Sequence, residues 1–161
     1  MKKEELRFEY ESYNDITELN EADAQLVQAA RDVTAKAYAP YSNFLVGAAA
    51  KLANGEVVMG TNQENASFPV GICAERSLLA TAAMLHNNVP IDTLAVSYHN
   101  LNGDSSKPVS PCGMCRQALR EYEDRTHQPI RLILSGMDGK IIILERSTLL
   151  LPMSFGGDDM K

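Results

Sequence analysis

The sequence predicts a layered α/β domain, three-layered α/β/α with a mixed five-stranded sheet. Helical apolar spacing alternates along it with short apolar runs of strand length, and the turn signals fall between them. Its 161 residues suit one domain that folds around a core without disulfides.

Residues 1 to about 20 alternate loosely, with Leu6, Phe8 and Tyr10 set against Arg7, Glu9 and Glu11. That pattern fits a short edge strand or an extended arm, so residues 1–22 are expected to form an N-terminal extension to a domain over 23–161. From Asp23 to Tyr38, Leu26, Val27, Ala30, Val33 and Ala37 recur at helical spacing, and Pro40 is expected to end that helix. Phe44 to Leu52 reads as a buried strand and Val57 to Thr61 as its return. Asn54-Gly55 between them is a hairpin signal in which both central residues are expected at positive φ. A loop rich in Asn, Ser, Pro and Gly runs from Asn62 to Gly71. Cys73 to about His86 is a second helix, dense in Ala and Leu, and Thr93 to Tyr98 a third strand. A polar loop, His99 to Lys107, precedes a third helix from Cys112 to about Tyr122. Ile130 to Leu134 and Ile141 to Leu144 complete the five strands, with Asp138-Gly139 between them, and an apolar tail from Leu149 to Phe155 ends in Gly156-Gly157.

The formal net charge of −6 argues against a nucleic-acid partner, whose phosphates require clustered Lys and Arg. No run of ~18 apolar residues predicts a membrane span. The N-terminus lacks the apolar core of a signal sequence, and three cysteines are an odd number for a secreted disulfide framework. A reducing cytoplasm is the expected compartment.

Those cysteines carry the chemistry. Cys73-Ala74-Glu75 and Pro111-Cys112-Gly113-Met114-Cys115-Arg116 each fall at an expected helix start. There the helix dipole favours thiolate over thiol. Three thiols suit zinc, and three protein ligands leave a position open for water, which zinc acidifies toward pH ~7. Glu75 stands close enough to touch such a water and move its proton. Three thiolates leave the site negative, so the guanidinium groups of Arg76 and Arg116 are expected to hydrogen-bond the sulfurs. Against this stand plainer readings. A single cysteine is most often a small core residue, and Cys112-Gly113-Met114-Cys115 alone also fits a thioredoxin-like redox pair. A redox pair has no use for Cys-Ala-Glu, however. A closed structural zinc site needs a fourth ligand, and His86, His99 and His127 read as surface or loop histidines.

Cys-Ala-Glu-Arg followed by Pro-Cys-Gly-x-Cys-Arg-Gln resembles the signature of the cytidine deaminase family, within the zinc-deaminase pattern His/Cys-x-Glu then Pro-Cys-x-x-Cys. Cysteine rather than histidine at position 73 resembles the free-nucleoside branch. Ala39-Pro40-Tyr41-Ser42-Asn43-Phe44 with Val46-Gly47-Ala48, then Asn62-Gln63-Glu64-Asn65-Ala66, and the tail Leu150-Leu151-Pro152-Met153-Ser154-Phe155 are similar to further family segments in the same order, from about residue 23 to the end.

The resemblance implies one zinc ion per subunit on Cys73, Cys112 and Cys115, and Glu75 as proton shuttle. It implies Asn62 and Glu64 on the sugar hydroxyls and Phe44 against the pyrimidine or sugar. The Ala74 N–H would meet the pyrimidine carbonyl oxygen and the Ser110 carbonyl the departing amino group. The implied reaction converts cytidine or 2′-deoxycytidine to the uridine product and ammonia in pyrimidine salvage, in a homotetramer whose Phe68 and Phe155 act across subunits. Phe68 stands where the family often has tyrosine. The rivals are a deaminase for another aminopyrimidine nucleoside such as blasticidin S, a nucleic-acid-editing deaminase, and a non-enzymatic zinc or dithiol protein.

Overall fold

The computed structural model describes residues 1–161. Strand β1, Glu11–Tyr13, opens the chain and is followed by a single 3-10 turn and helix α1, Glu21–Val33. Asn20 caps α1 by accepting the Asp23 N–H at 3.0 Å. Strands β2, Phe44–Leu52, and β3, Val57–Thr61, form the hairpin. Helix α2, Ala74–Leu85, leads to β4, Ile91–Asn100. Helix α3, Gly113–Thr126, leads to β5, Arg131–Leu134, and β6, Ile141–Leu144.

The sheet has six strands in the order β1-β6-β5-β4-β2-β3 rather than the expected five. The sixth is the edge strand of the N-terminal segment. It lies at Glu11–Tyr13, C-terminal to most of the alternating stretch, because those residues pair antiparallel with Ile141–Ile143. β4 and β5 run parallel, joined by the α3 crossover, and every other pairing is antiparallel. Alternation along the strands sends residues to two cores. Leu26, Val27 and Ala30 of α1 pack on Ala49, Ala95 and Ile133 on one face. Leu78 and Ala82 of α2, with Leu119 and Tyr122 of α3, pack on Ala48, Val96 and Leu132 on the other. Helices therefore cover both sides of a mixed sheet.

Four local expectations change. The first helix begins two residues earlier than Asp23 and ends at Val33, continuing only as a 3-10 turn through Lys36. Tyr38 is drawn out of it by pairing with the loop after β3: its N–H donates to Asn62 O at 3.1 Å and its carbonyl accepts from Glu64 N at 2.7 Å. The hairpin uses one positive φ, not two. Gly55 N donates to Leu52 O at 2.9 Å, and only Gly55, at φ 90°, is left-handed, which is a type I turn closed by a glycine bulge. β4 runs two residues beyond each expected end, since His99 and Asn100 still pair with Leu45 and Phe44. His99 is accordingly a strand residue. α3 continues to Thr126 because Tyr122 and Glu123 are buried, and stops at left-handed His127.

Candidate active site and metal centre

Helices α2 and α3 lie on the same sheet face with their N-termini together, and the three cysteines sit there. Cys73 is the N-cap residue of α2, Cys112 that of α3, and Cys115 lies in the first turn of α3. Cys112 Sγ is 3.7 Å from Cys73 Sγ and 3.5 Å from Cys115 Sγ, and all three sulfurs fall within 4.8 Å of one another. Sulfurs bound at ~2.3 Å to one tetrahedral ion stand ~3.8 Å apart. Donor type, number and spacing therefore fit zinc, with a fourth position left for a non-protein ligand. Cys115 is buried, Cys73 half-buried and Cys112 exposed, so the cluster opens to one side. Hydrogen bonding from Cys115, helped by Cys112 and the charge of Arg76, outweighs burial and lowers the Cys73 thiol to about 6. Cys115 is pushed the other way by its Cys73 neighbour and by burial.

The open side is the floor of a cavity of about 460 Å³. Cys73, Ala74, Glu75 and Cys112 line it there, with Ser110 from the loop before α3. Glu75 is only 5% exposed, and burial pushes its carboxyl above the ordinary carboxylate range. Cys73 offers α2 no side-chain cap, so the first-turn N–H groups, beginning with Ala74, have no intrahelical acceptor.

Phe44, Asn62 and Glu64 line the same cavity. Asn62 Oδ1 accepts the Val46 N–H at 2.8 Å and its Nδ2 donates to Phe44 O at 2.9 Å. The amide thus ties down β2 and keeps one N–H free. Glu64 accepts from the Ser42 hydroxyl and from the Tyr41 and Ser42 N–H groups at 2.8 and 3.3 Å. These bonds, Ser42's foremost, hold its carboxyl below the ordinary range and keep it ionised. Phe44 is stacked on Tyr98.

The remaining expected residues are dispersed. Arg116 gives its hydrogen bonds to backbone carbonyls, Pro111 O at 2.8 Å and Leu150 O at 2.9 Å, rather than to sulfur. It thereby pins the ligand-bearing loop to the tail. Arg76 stands half-buried beside Cys73. Phe68 reaches the cavity rim, 74% exposed, edge-on to Tyr41 with ring centres 5.8 Å apart. Phe155 lies on the outside, 59% exposed, its carbonyl accepting from Gln117 at 3.0 Å. Sequence reasoning missed Ser42 and Tyr98. Ser42 had a local signal, since a serine two residues before a strand can turn its hydroxyl onto the Phe44 N–H, 3.1 Å away here. Tyr98 had none, because its contact depends on the β2–β4 register.

Residues 20–128 match the family model described as the cytidine and deoxycytidylate deaminase zinc-binding region. A cytidine deaminase of Halalkalibacterium halodurans is 36% identical over 136 residues, covering 84% of this chain and 96% of that protein. A cytidine deaminase of Mycoplasma genitalium is 39% identical over 113 residues, covering 70% and 80%. Among solved structures, a cytidine deaminase from Burkholderia pseudomallei superposes with a TM-score of 0.72 at 34% identity, covering 85% of this chain and all of that one. The matched region carries all three cysteines and the buried carboxylate beside them, and on these grounds the chain belongs to the zinc-dependent cytidine and deoxycytidylate deaminase family.

Proposed function

We propose that the protein hydrolyses cytidine and 2′-deoxycytidine to uridine and 2′-deoxyuridine with release of ammonia, in pyrimidine salvage. The carrying observation is that Glu75, Cys73 and Cys112, with Cys115 buried just behind them, meet in one cavity that an aromatic ring, an amide and a carboxylate also line. When bound by Cys73, Cys112 and Cys115, zinc supplies Lewis acidity and an acidified water.

The chain's own groups do the rest. Glu75, made more basic by burial, takes a proton from the attacking water and gives one to N3 of the pyrimidine, which makes C4 electrophilic. It then takes the remaining proton from the new C4 hydroxyl and delivers it to the amino group, so that the C4–N bond breaks as C4=O forms, and cytidine and water become uridine and ammonia. The Ala74 N–H holds the pyrimidine carbonyl oxygen, the Ser110 carbonyl faces the amino group, and Phe44 covers the ring. Glu64 and the free N–H of Asn62 take the sugar hydroxyls. No Lys or Arg lines the cavity, and ionised Glu64 would face a 5′-phosphate with nothing to neutralise it, which favours free nucleosides. Arg76 tempers the charge of the sulfur cluster, and Arg116 positions Cys112 through Pro111.

The catalytic domain spans residues 23–161, with residues 1–22 as an extension. We assign the active form to a homotetramer in the cytoplasm. Exposed Phe68, Phe155 and Met153 support subunit contacts, and the three unpaired cysteines support a reducing compartment. No helix is long and apolar enough to cross a membrane.

The test is absorbance-monitored turnover of cytidine, 2′-deoxycytidine, their 5′-monophosphates and blasticidin S by zinc-replete protein. Nucleoside turnover is expected to vanish on prolonged chelation. In Glu75→Gln it should fall by about 10²–10⁴-fold with zinc retained. A fully active Glu75→Gln, or turnover of blasticidin S without cytidine, would overturn the reading.

A further inference from the structure

We infer that Tyr98 is a positioning residue for the pyrimidine: its ring backs Phe44 and fixes the plane that Phe44 presents to the cavity. The inference rests on reading the cavity as a pyrimidine nucleoside site. Tyr98 pairs directly with Val46 across β2 and β4, which makes Phe44 its diagonal neighbour on the same sheet face. The two rings lie 4.7 Å apart between centroids and 15° from parallel. Tyr98 is 8% exposed and does not line the cavity, whereas Phe44 does. Tyr98 therefore acts through Phe44.

The backbone of Phe44 is already held at both ends. Its N–H donates to Ser42 Oγ at 3.1 Å, and its carbonyl accepts from Asn62 Nδ2 at 2.9 Å. What these bonds leave loose is the ring, since rotation about the terminal torsion of a phenylalanine is broad. Stacking on Tyr98 closes that freedom. One ring face is covered by Tyr98, and the other is left to meet a flat, polar heteroaromatic ring at a set angle. The same hydrogen bonds connect this platform to the sugar side, because the Ser42 hydroxyl that accepts from Phe44 also donates to Glu64. A pyrimidine lying on Phe44 is thus held in register with a ribose on Glu64.

An unbacked Phe44 must pay the ordering of its ring at the moment of binding, so the effect falls on ground-state and transition-state binding alike. In Tyr98→Leu and Tyr98→Met, the KM for cytidine and the inhibition constant of uridine are expected to rise about 3- to 10-fold, the equivalent of one lost aromatic pair. The kcat should stay within about twofold. Tyr98→Phe keeps the stack and should behave as wild type. Ile133→Val, a destabilising change in the core on the opposite sheet face, should leave KM unmoved and so control for loss of stability alone. Zinc content and melting temperature identify which of the two ring-less variants is folded, and either one decides. An unchanged KM in the folded, zinc-bound variant overturns the inference. So does a Tyr98→Phe protein as weak as Tyr98→Leu. Wild-type protein that holds zinc yet fails on cytidine and 2′-deoxycytidine brings down the nucleoside reading itself, and the positioning role with it.

Discussion

Gly60→Ala should disable the site from outside it. Gly60 lies on β3 beneath the first turns of α2, and a methyl group there would stand 2.5 Å from Ala74 O, 2.5 Å from Leu78 N and 2.5 Å from Ser77 Oγ. Ordinary contact begins at 3.4 Å, so the helix must lift by about 0.9 Å, the difference between 3.4 and 2.5. Two of the three atoms are backbone and cannot swing aside. The third is held by hydrogen bonds to Thr61 O and Ala74 O, both 3.0 Å. Ala74 stands between Cys73 and Glu75, so lifting α2 moves a zinc ligand and the acid–base carboxylate together, away from Cys112 and Cys115 on α3. Overpacking of this kind costs about 1–3 kcal/mol, or roughly 3–10 °C in Tm for a domain of this size. A displacement near 1 Å at the reacting groups costs about 10²-fold in rate. Cytidine turnover, zinc content and a thermal melt on one preparation test all three. A Gly60→Ala protein that melts lower but deaminates within about threefold of wild type would refute the link between this packing and the site. Unchanged melting would refute the packing argument as well.

Asp23→Asn tests the pin between α1 and β5. Burial disfavours the Asp23 carboxylate, but bidentate hydrogen bonds from Arg131 at 2.6 and 2.8 Å outweigh it and lower its pKa. A carboxyl held below its unfolded value stabilises the fold fully above about pH 4, and that contribution is lost as pH falls through the lowered value. Asp23→Asn should therefore lose about 1–3 kcal/mol at neutral pH and lose less on further acidification. Melts in an acid series that keep the wild-type slope would contradict this. Ser42→Ala removes the hydroxyl shared by Phe44 and Glu64, and a lost hydrogen bond to a charged group should raise KM for cytidine about tenfold with zinc unchanged. Equal KM values would show that Glu64 does not need it.

Where the sequence was readable, the signal was local. The β2 and β3 limits, the starts of α2 and α3 and the meeting of three cysteines all follow from apolar spacing, turn residues and ligand chemistry that need no partner. What escaped was set by pairing. Tyr38 leaves its helical pattern because Asn62 and Glu64 hydrogen-bond it. His99 and Asn100 are polar residues kept in β4 by neighbours on β2. Arg116 was expected on sulfur, but two carbonyls, one of them from the distant tail, claim its donors. Asn62 has a structural task as well, its amide accepting from Val46 and donating to Phe44 across the turn into β2. In each case a long-range partner outbids a local rule.

Three residues of β1 have a consequence beyond the count of strands. They cover the outer edge of β6, whose sequence is Ile141-Ile142-Ile143-Leu144. An uncharged β-branched run with free backbone donors and acceptors is a template for strand addition by other molecules. A protein trimmed to begin after Tyr13 would keep every zinc ligand and every cavity residue, and would expose that run along one side. Its first failing would be precipitation rather than lost chemistry, and shortening the chain for crystallisation or expression should stop before Glu11.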